Sequence, residues 1–133
     1  MSEEKKRISL PLVGGEDEVA QNKTREEGGD VMSEIAHEVE SNKIVLYMKG
    51  TPEQPMCGFS HRAVSILQSY GVPLYSVNIL ADQEKRQAIK EFSEWPTIPQ
   101  IYVNGAFLGG SDLLMQMHET GQLEDVLREA FEI

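Results

Sequence analysis

The sequence predicts an α/β domain: a four-stranded mixed sheet flanked by about five helices, preceded by a disordered tail. Three observations carry this expectation. Two short apolar runs, Ile44 to Met48 and Leu74 to Ile79, flank a stretch with helical spacing. That is the pattern of a strand–helix–strand unit with a right-handed parallel crossover. Asn104-Gly105 separates two further strand-like segments, and Asn-Gly is the strongest short hairpin signal. Elsewhere apolar residues recur every three or four positions, as on the buried faces of helices.

Residues 1–30 are charged, lack aromatic residues and show no sustained periodicity. Such a segment cannot bury enough apolar surface to offset its ordering entropy, so it reads as a disordered acidic tail. The apolar patch from Ile8 to Val13 is its one candidate for docking. The folded domain spans 31–133. Asp30 caps a first helix in which Val31, Ile35 and Val39 form one stripe. Ile44 to Met48 is apolar throughout, which suits a strand buried on both faces. In the loop from Lys49 to Met56, Gly50, Pro52 and Pro55 exclude regular structure. From Cys57 to Tyr70, the residues Ala63, Ile66, Leu67 and Tyr70 share one side of a helix that Gly71 stops. Leu74 to Ile79 is the second strand. Asp82 caps a third helix through about Ser93, with Ile89 and Phe92 inward. Trp95-Pro96-Thr97-Ile98-Pro99 is a second proline-punctuated loop. Gln100 to Val103 and Ala106 to Leu108 form the hairpin, and Gly109-Gly110 breaks the chain. Two helices follow, from Ser111 to about Glu119 and from Gln122 to Phe131.

Composition narrows the function. There are 22 Asp and Glu against 12 Lys and Arg, so the chain lacks the basic face of a nucleic-acid binder. Anionic membrane surfaces are disfavoured for the same reason. No apolar run approaches the roughly 20 residues of a spanning helix. One cysteine allows no internal disulfide. The first residues show neither the apolar segment of a secretory signal nor the Arg- and Ser-rich, acid-poor character of a mitochondrial presequence.

Cys57 is that one cysteine. A lone cysteine is usually a small buried hydrophobe, but this one follows a buried strand and precedes a helix. Unpaired N–H groups and the macrodipole at a helix start favour an anion, which lowers a thiol's pKa and frees the thiolate as nucleophile or metal ligand. Gly58 permits close approach of a partner. Ser60 stands where a Cys-x-x-Cys pair would carry its second cysteine; its hydroxyl can hydrogen-bond a thiolate but cannot resolve a mixed disulfide. His61 lies four residues on, yet no further ligands at zinc-like spacing accompany it. His37 and His118 read as solvated or packing residues. Lys49, at the C-terminal end of a strand, is either a solvated lysine or a carboxylate receptor, since ligands of open α/β sheets bind at that end. Arg86 has the same two readings. Gly109-Gly110-Ser111-Asp112 is a plain turn and cap, or an anion site with Asp112 beside an ammonium. Together these features describe one ligand: a short peptide with a central thiol, a carboxylate at each end and an ammonium. Glutathione has that pattern.

Four motifs are identified with a known family. Lys49-Gly50-Thr51-Pro52 through Pro55, Cys57-Gly58-Phe59-Ser60, Trp95-Pro96-Thr97-Ile98-Pro99-Gln100 and Gly109-Gly110-Ser111-Asp112 resemble, in order and spacing, those of the monothiol glutaredoxins. With Met115-Gln116-Met117-His118, they look closest to the single-domain mitochondrial members, over about Ser33 to the C-terminus. The resemblance implies a thioredoxin fold with Pro99 cis. It implies that glutathione is held by Lys49 and Arg86 at its glycine carboxylate, by the backbone at Ile98 and Pro99, and by Gly110, Ser111 and Asp112 at its γ-glutamyl end. Cys57, Gly58, Phe59 and Ser60 would surround its thiol. It further implies that Cys57 ligates a [2Fe–2S] cluster shared by two subunits, because such a cluster needs four ligands and one chain has one thiol. The implied role is cluster transfer in iron–sulfur protein biogenesis in the mitochondrial matrix, or alternatively the cytoplasm, with a cluster-bound homodimer and BolA-like and assembly proteins as partners. Alternatives are a glutathione-dependent disulfide oxidoreductase, weak because Thr51 to Pro55 lengthen the loop before the thiol, and an iron-status adaptor. Position 111, often Cys in this family, is Ser here, which removes any intramolecular disulfide cycle.

Overall fold

The computed structural model describes residues 30–133 and the backbone of Asp17–Val19. In chain order its elements are β1 (Asp17–Val19), α1 (Val31–Ser41), β2 (Ile44–Met48), α2 (Gly58–Ser69), β3 (Leu74–Asn78), a 3-10 turn (Ile79–Ala81), α3 (Gln83–Ser93), β4 (Gln100–Val103), β5 (Ala106–Gly109), α4 (Ser111–Thr120) and α5 (Gln122–Phe131). The strands lie in the order β1-β3-β2-β4-β5. Strands β1, β3 and β2 are mutually parallel, whereas β4 runs antiparallel to β2 and β5 to β4. The four strands from β3 to β5 and the five helices form the thioredoxin-type arrangement that the sequence predicts.

A further strand, β1, lies at the edge of the sheet. Asp17, Glu18 and Val19 pair with Leu74, Tyr75 and Ser76 and cover the edge of β3. A sheet edge presents unpaired main-chain groups that any extended segment can satisfy. Such pairing needs no apolar alternation, so the side-chain pattern carries no sign of it. The remainder of the expected disordered tail, with the Ile8 to Val13 patch, lies outside the described residues.

Alternation along β2 divides the core. Ile44, Leu46 and Met48 point to one face and pack with Leu67, Leu114 and Leu127, from α2, α4 and α5. Val45 and Tyr47 point to the other and pack with Ile35 and Ile89, from α1 and α3. Because both faces are covered, every residue of β2 is buried, and the segment is apolar throughout. Caps set the helix starts: Ser33 N–H donates to Asp30 at 2.8 Å, and Lys85 N–H donates to Asp82 at 3.0 Å. Asn104 and Gly105 both have positive φ, as the tight two-residue hairpin requires.

A buried ionic group fastens α1 to α3. Lys85 Nζ lies 2.6 Å from Glu38 Oε2 and 2.9 Å from Glu34 Oε1. The Tyr47 hydroxyl donates to Glu38 Oε1 at 2.7 Å. Burial pulls the Lys85 ammonium toward neutrality, but its bonds and charge interactions with Glu38 and Glu34 outweigh that and hold it above its ordinary value. Burial, then the Glu38 charge, pushes the Tyr47 phenol far above its usual range. The group is therefore a charged lysine with its carboxylates and a neutral phenol. Glu38→Ala is expected to lower unfolding free energy by about 3 kcal/mol, measured by urea denaturation, because the buried ammonium loses its closest partner. Glu124→Ala, which removes the partner of the exposed Arg128, is expected to change it by about 0.5 kcal/mol or less.

Candidate functional site

Cys57 is the N-cap of α2 rather than a residue within it. Its backbone is extended, with φ −156°, and its Sγ accepts the Ser60 N–H at 3.4 Å. The sulfur therefore takes the place that a Ser, Asp or Asn oxygen usually fills. The Ser60 hydroxyl lies 3.5 Å from Sγ and accepts the Lys49 N–H at 3.0 Å. With a lone pair engaged by Lys49, this hydroxyl can turn its own proton toward the sulfur. Partial burial pushes the thiol pKa up. The bonds from the Ser60 hydroxyl, the Ser60 N–H and the Phe59 N–H, together with the Lys49 charge, outweigh it, and the thiol rests below its ordinary value. Thiolate is the nucleophilic and metal-binding form.

The loop leading to Cys57 is more ordered than its prolines suggest. Gly50 bridges Pro55, Thr51 and Gln54 exchange N–H···O bonds of 3.1 and 3.0 Å, and Met56 N–H donates to Lys49 O at 2.8 Å. Pro52 and Pro55 sit where the turn draws on no N–H, so they do not oppose it. Gly50 is required: its φ is +94°, and a Cβ there would collide with the Gln54 carbonyl. Its N–H donates to Asn78 at 2.9 Å, tying the loop to the end of β3.

A cavity of about 750 Å³ opens beside the thiol. Lys49, at the end of β2, and Arg86, on α3, supply cations to its wall, while Gly110, Ser111 and Asp112 bring the start of α4. Helices α3 and α4 lie on opposite faces of the sheet, so the cavity is walled from both. Ile98 and Pro99 line it too, and the peptide bond between them is cis. A Cβ on Gly110 would stand 3.4 Å from the Pro99 carbonyl and 3.5 Å from Trp95 Nε1, so this wall is closely packed. Phe59 also lines the cavity, whereas Cys57, Gly58 and Ser60 do not. Those three adjoin it through Phe59 and through the bond from Lys49 to Ser60. Met56 and Phe59, next to Cys57 along the chain, are exposed, as is Trp95 on the cavity wall.

Lys90, which also lines the cavity, escapes the sequence reading. It lies four residues after Arg86, one helical turn along the same face, and that spacing was the available signal. His61 is exposed, and among the described residues no three Cys, His, Asp or Glu side chains converge as a metal site. A metal or cluster at Cys57 therefore fits only with ligands supplied from outside the described residues. The His118 ring is a packing residue, with Nδ1 2.7 Å from the Tyr70 hydroxyl.

Comparison with known proteins places this geometry. The glutaredoxin family pattern matches residues 44–108. The chain is 52% identical over 95 residues to monothiol glutaredoxin-S15, mitochondrial, of Arabidopsis thaliana, covering 71% of this chain but 56% of that protein's length. It is 50% identical over 92 residues to an uncharacterized ycf64-like monothiol glutaredoxin of Synechocystis, covering 69% of this chain and 86% of that one. The solution structure of a monomeric truncated mutant of Trypanosoma brucei 1-C-Grx1 superimposes with a TM-score of 0.70 at 39% identity, covering 77% of this chain and 93% of that one.

Ser60→Ala removes one hydroxyl that lowers the thiol pKa. At neutral pH the variant is expected to react with iodoacetamide several-fold more slowly than the wild type, with its rate profile displaced to higher pH, because less thiolate is present at any pH below the thiol pKa. Rates measured across pH 5 to 10 check this; coincident profiles would show that the hydroxyl does not act on the sulfur.

Proposed function

Because the chain belongs to the glutaredoxin family, among its monothiol members, we propose that it binds glutathione beside Cys57 and carries a [2Fe–2S] cluster between two subunits. The observation that supports this best is a single cysteine, its thiol held below its ordinary value, beside a cavity with cations on one wall and a helix start with Asp112 on another. Lys49, Arg86 and Lys90 suit the glycine carboxylate. The main chain at Ile98 and Pro99 suits the peptide backbone around the cysteine, and Gly110, Ser111 and Asp112 suit the γ-glutamyl carboxylate and ammonium. Phe59, Gly58 and Ser60 stand where the glutathione sulfur would approach Cys57.

The cluster is cargo in this reading, and the ligand count sets the assembly. Each subunit offers the Cys57 thiolate, and a bound glutathione offers a second, so two subunits and two glutathiones complete four. Glutathione is exchangeable, so half of the ligand set is detachable, which suits handing the cluster to a recipient. The exposed Met56 and Phe59 next to Cys57, and Trp95 on the cavity wall, suit contact with the second subunit, or with BolA-like and iron–sulfur assembly proteins. The relatives named mitochondrial support a place in the mitochondrial matrix.

A second reading, glutathione-dependent reduction of mixed disulfides, draws on the lowered thiol pKa. The Cys57 thiolate would attack the glutathione sulfur of a protein mixed disulfide and release the protein thiol. A second glutathione would then attack the Cys57 mixed disulfide, leaving glutathione disulfide and the Cys57 thiolate. Ser60 and Ser111 offer no internal resolving thiol.

Anaerobic reconstitution with iron and sulfide separates these readings. A coloured dimer is expected with glutathione present, none without added thiol, and none for Cys57→Ser. A cluster that forms equally well without any thiol would overturn the four-ligand count. Rapid turnover of a small glutathione mixed disulfide, with no cluster formed under any condition, would favour the reductase.

A further inference from the structure

One buried side chain holds the loop that walls the cavity. Gln100 opens β4 and has no exposed surface. Its Nε2 donates to the Trp95 carbonyl at 3.0 Å and to the Thr97 carbonyl at 3.2 Å, which uses both amide protons. Its Oε1 accepts from the Tyr102 hydroxyl at 3.4 Å. Two carbonyls can only accept, so the amide nitrogen must face them, and the orientation of the side chain follows. The other side of the loop is also tied: Trp95 N–H is 3.2 Å from Lys90 O and 3.1 Å from Ser93 Oγ. The segment from Trp95 to Thr97 is thus strung between the end of α3 and the start of β4. Trp95, Thr97 and Ile98 line the cavity, and Gln100 does not.

We propose that Gln100 is a positioning residue for the ligand cavity. Its two N–H groups turn the Trp95 and Thr97 carbonyls inward, and this sets the Thr97–Ile98 main chain and the indole against Gly110 before any ligand arrives. Without those donors the Thr97 carbonyl turns to water and the Trp95 carbonyl keeps only the longer bond from Ser93 Oγ at 3.4 Å, so the hold on the loop weakens. The ligand's identity rests on the glutathione reading above; the hold on the loop does not.

The test uses Gln100→Met, which keeps the unbranched length and removes both donors, and Tyr102→Phe, which leaves the donors in place. Circular dichroism and thermal melting confirm that each variant folds. Trp95 is the single tryptophan of the chain, so its emission reports on the loop directly. Gln100→Met is expected to shift Trp95 emission and to increase its quenching by iodide without ligand. It is also expected to weaken glutathione binding roughly tenfold by isothermal titration, the equivalent of two modest hydrogen bonds. Tyr102→Phe is expected to leave both within about twofold, as the loss of one long bond to Oε1 implies. Unchanged emission in a folded Gln100→Met protein overturns the proposal. Shifted emission with wild-type affinity also overturns it, since Gln100 would then be structural only. If the Met variant does not fold, Gln100→Glu, which turns the donor into an acceptor, carries the same two readings. Failure of the wild type to bind glutathione counts against the proposed function alone, because the emission measurement reads the hold on the loop without ligand.

Discussion

The bond from Lys49 N–H to the Ser60 hydroxyl is the joint of the site. It connects the last turn of the chain leaving β2 to the first turn of α2, across 11 residues. Everything around the thiol depends on that connection. The intervening loop must close on itself, which it does through Thr51 and Gln54, and a glycine must stand at position 50 to let it. The same hydroxyl faces the sulfur, so the contact that fixes where Cys57 stands also influences how readily it ionises. Geometry and reactivity share one oxygen atom.

Two further supports reach the cavity from the other face of the sheet. The Lys85, Glu38 and Tyr47 group fixes α3, and with it Arg86 one residue on. The Tyr47 ring meets Tyr102 edge-on at 5.7 Å, and Tyr102 bonds to Gln100, which holds the Trp95 loop. The buried charges and the ligand wall thus belong to one continuous packing of side chains. A wall already in place lowers the ordering that binding a ligand there would require.

Much of this was legible in the sequence because it is written in side chains. The apolar run Ile44 to Met48 announced a strand covered on both faces. Asp30 and Asp82 announced helix starts, and Asn104-Gly105 announced the hairpin. Features carried by the main chain were not legible. Strand β1 is an edge pairing without an apolar pattern. The closed turn at 51–54 uses N–H and carbonyl groups that any residue possesses. The motifs contain most of the residues that line the cavity but carry no sign of their arrangement. Cys57 proved to cap its helix from outside, and the cavity proved to adjoin the sulfur without including it. Lys90 is signalled only by its spacing from Arg86, one turn along the same helix.

The cavity draws its walls from both faces of the sheet, with Arg86 and Lys90 on one side and Ser111 and Asp112 on the other. A molecule seated there is a clip across the two packing layers on either face of the sheet. By mass action, such a clip adds folding stability that grows with the logarithm of its concentration, about 2.7 kcal/mol at a hundred times its dissociation constant. For any molecule that binds there, the durability of the fold becomes partly a property of the surrounding solution, and removing it loosens the protein as it empties the cavity.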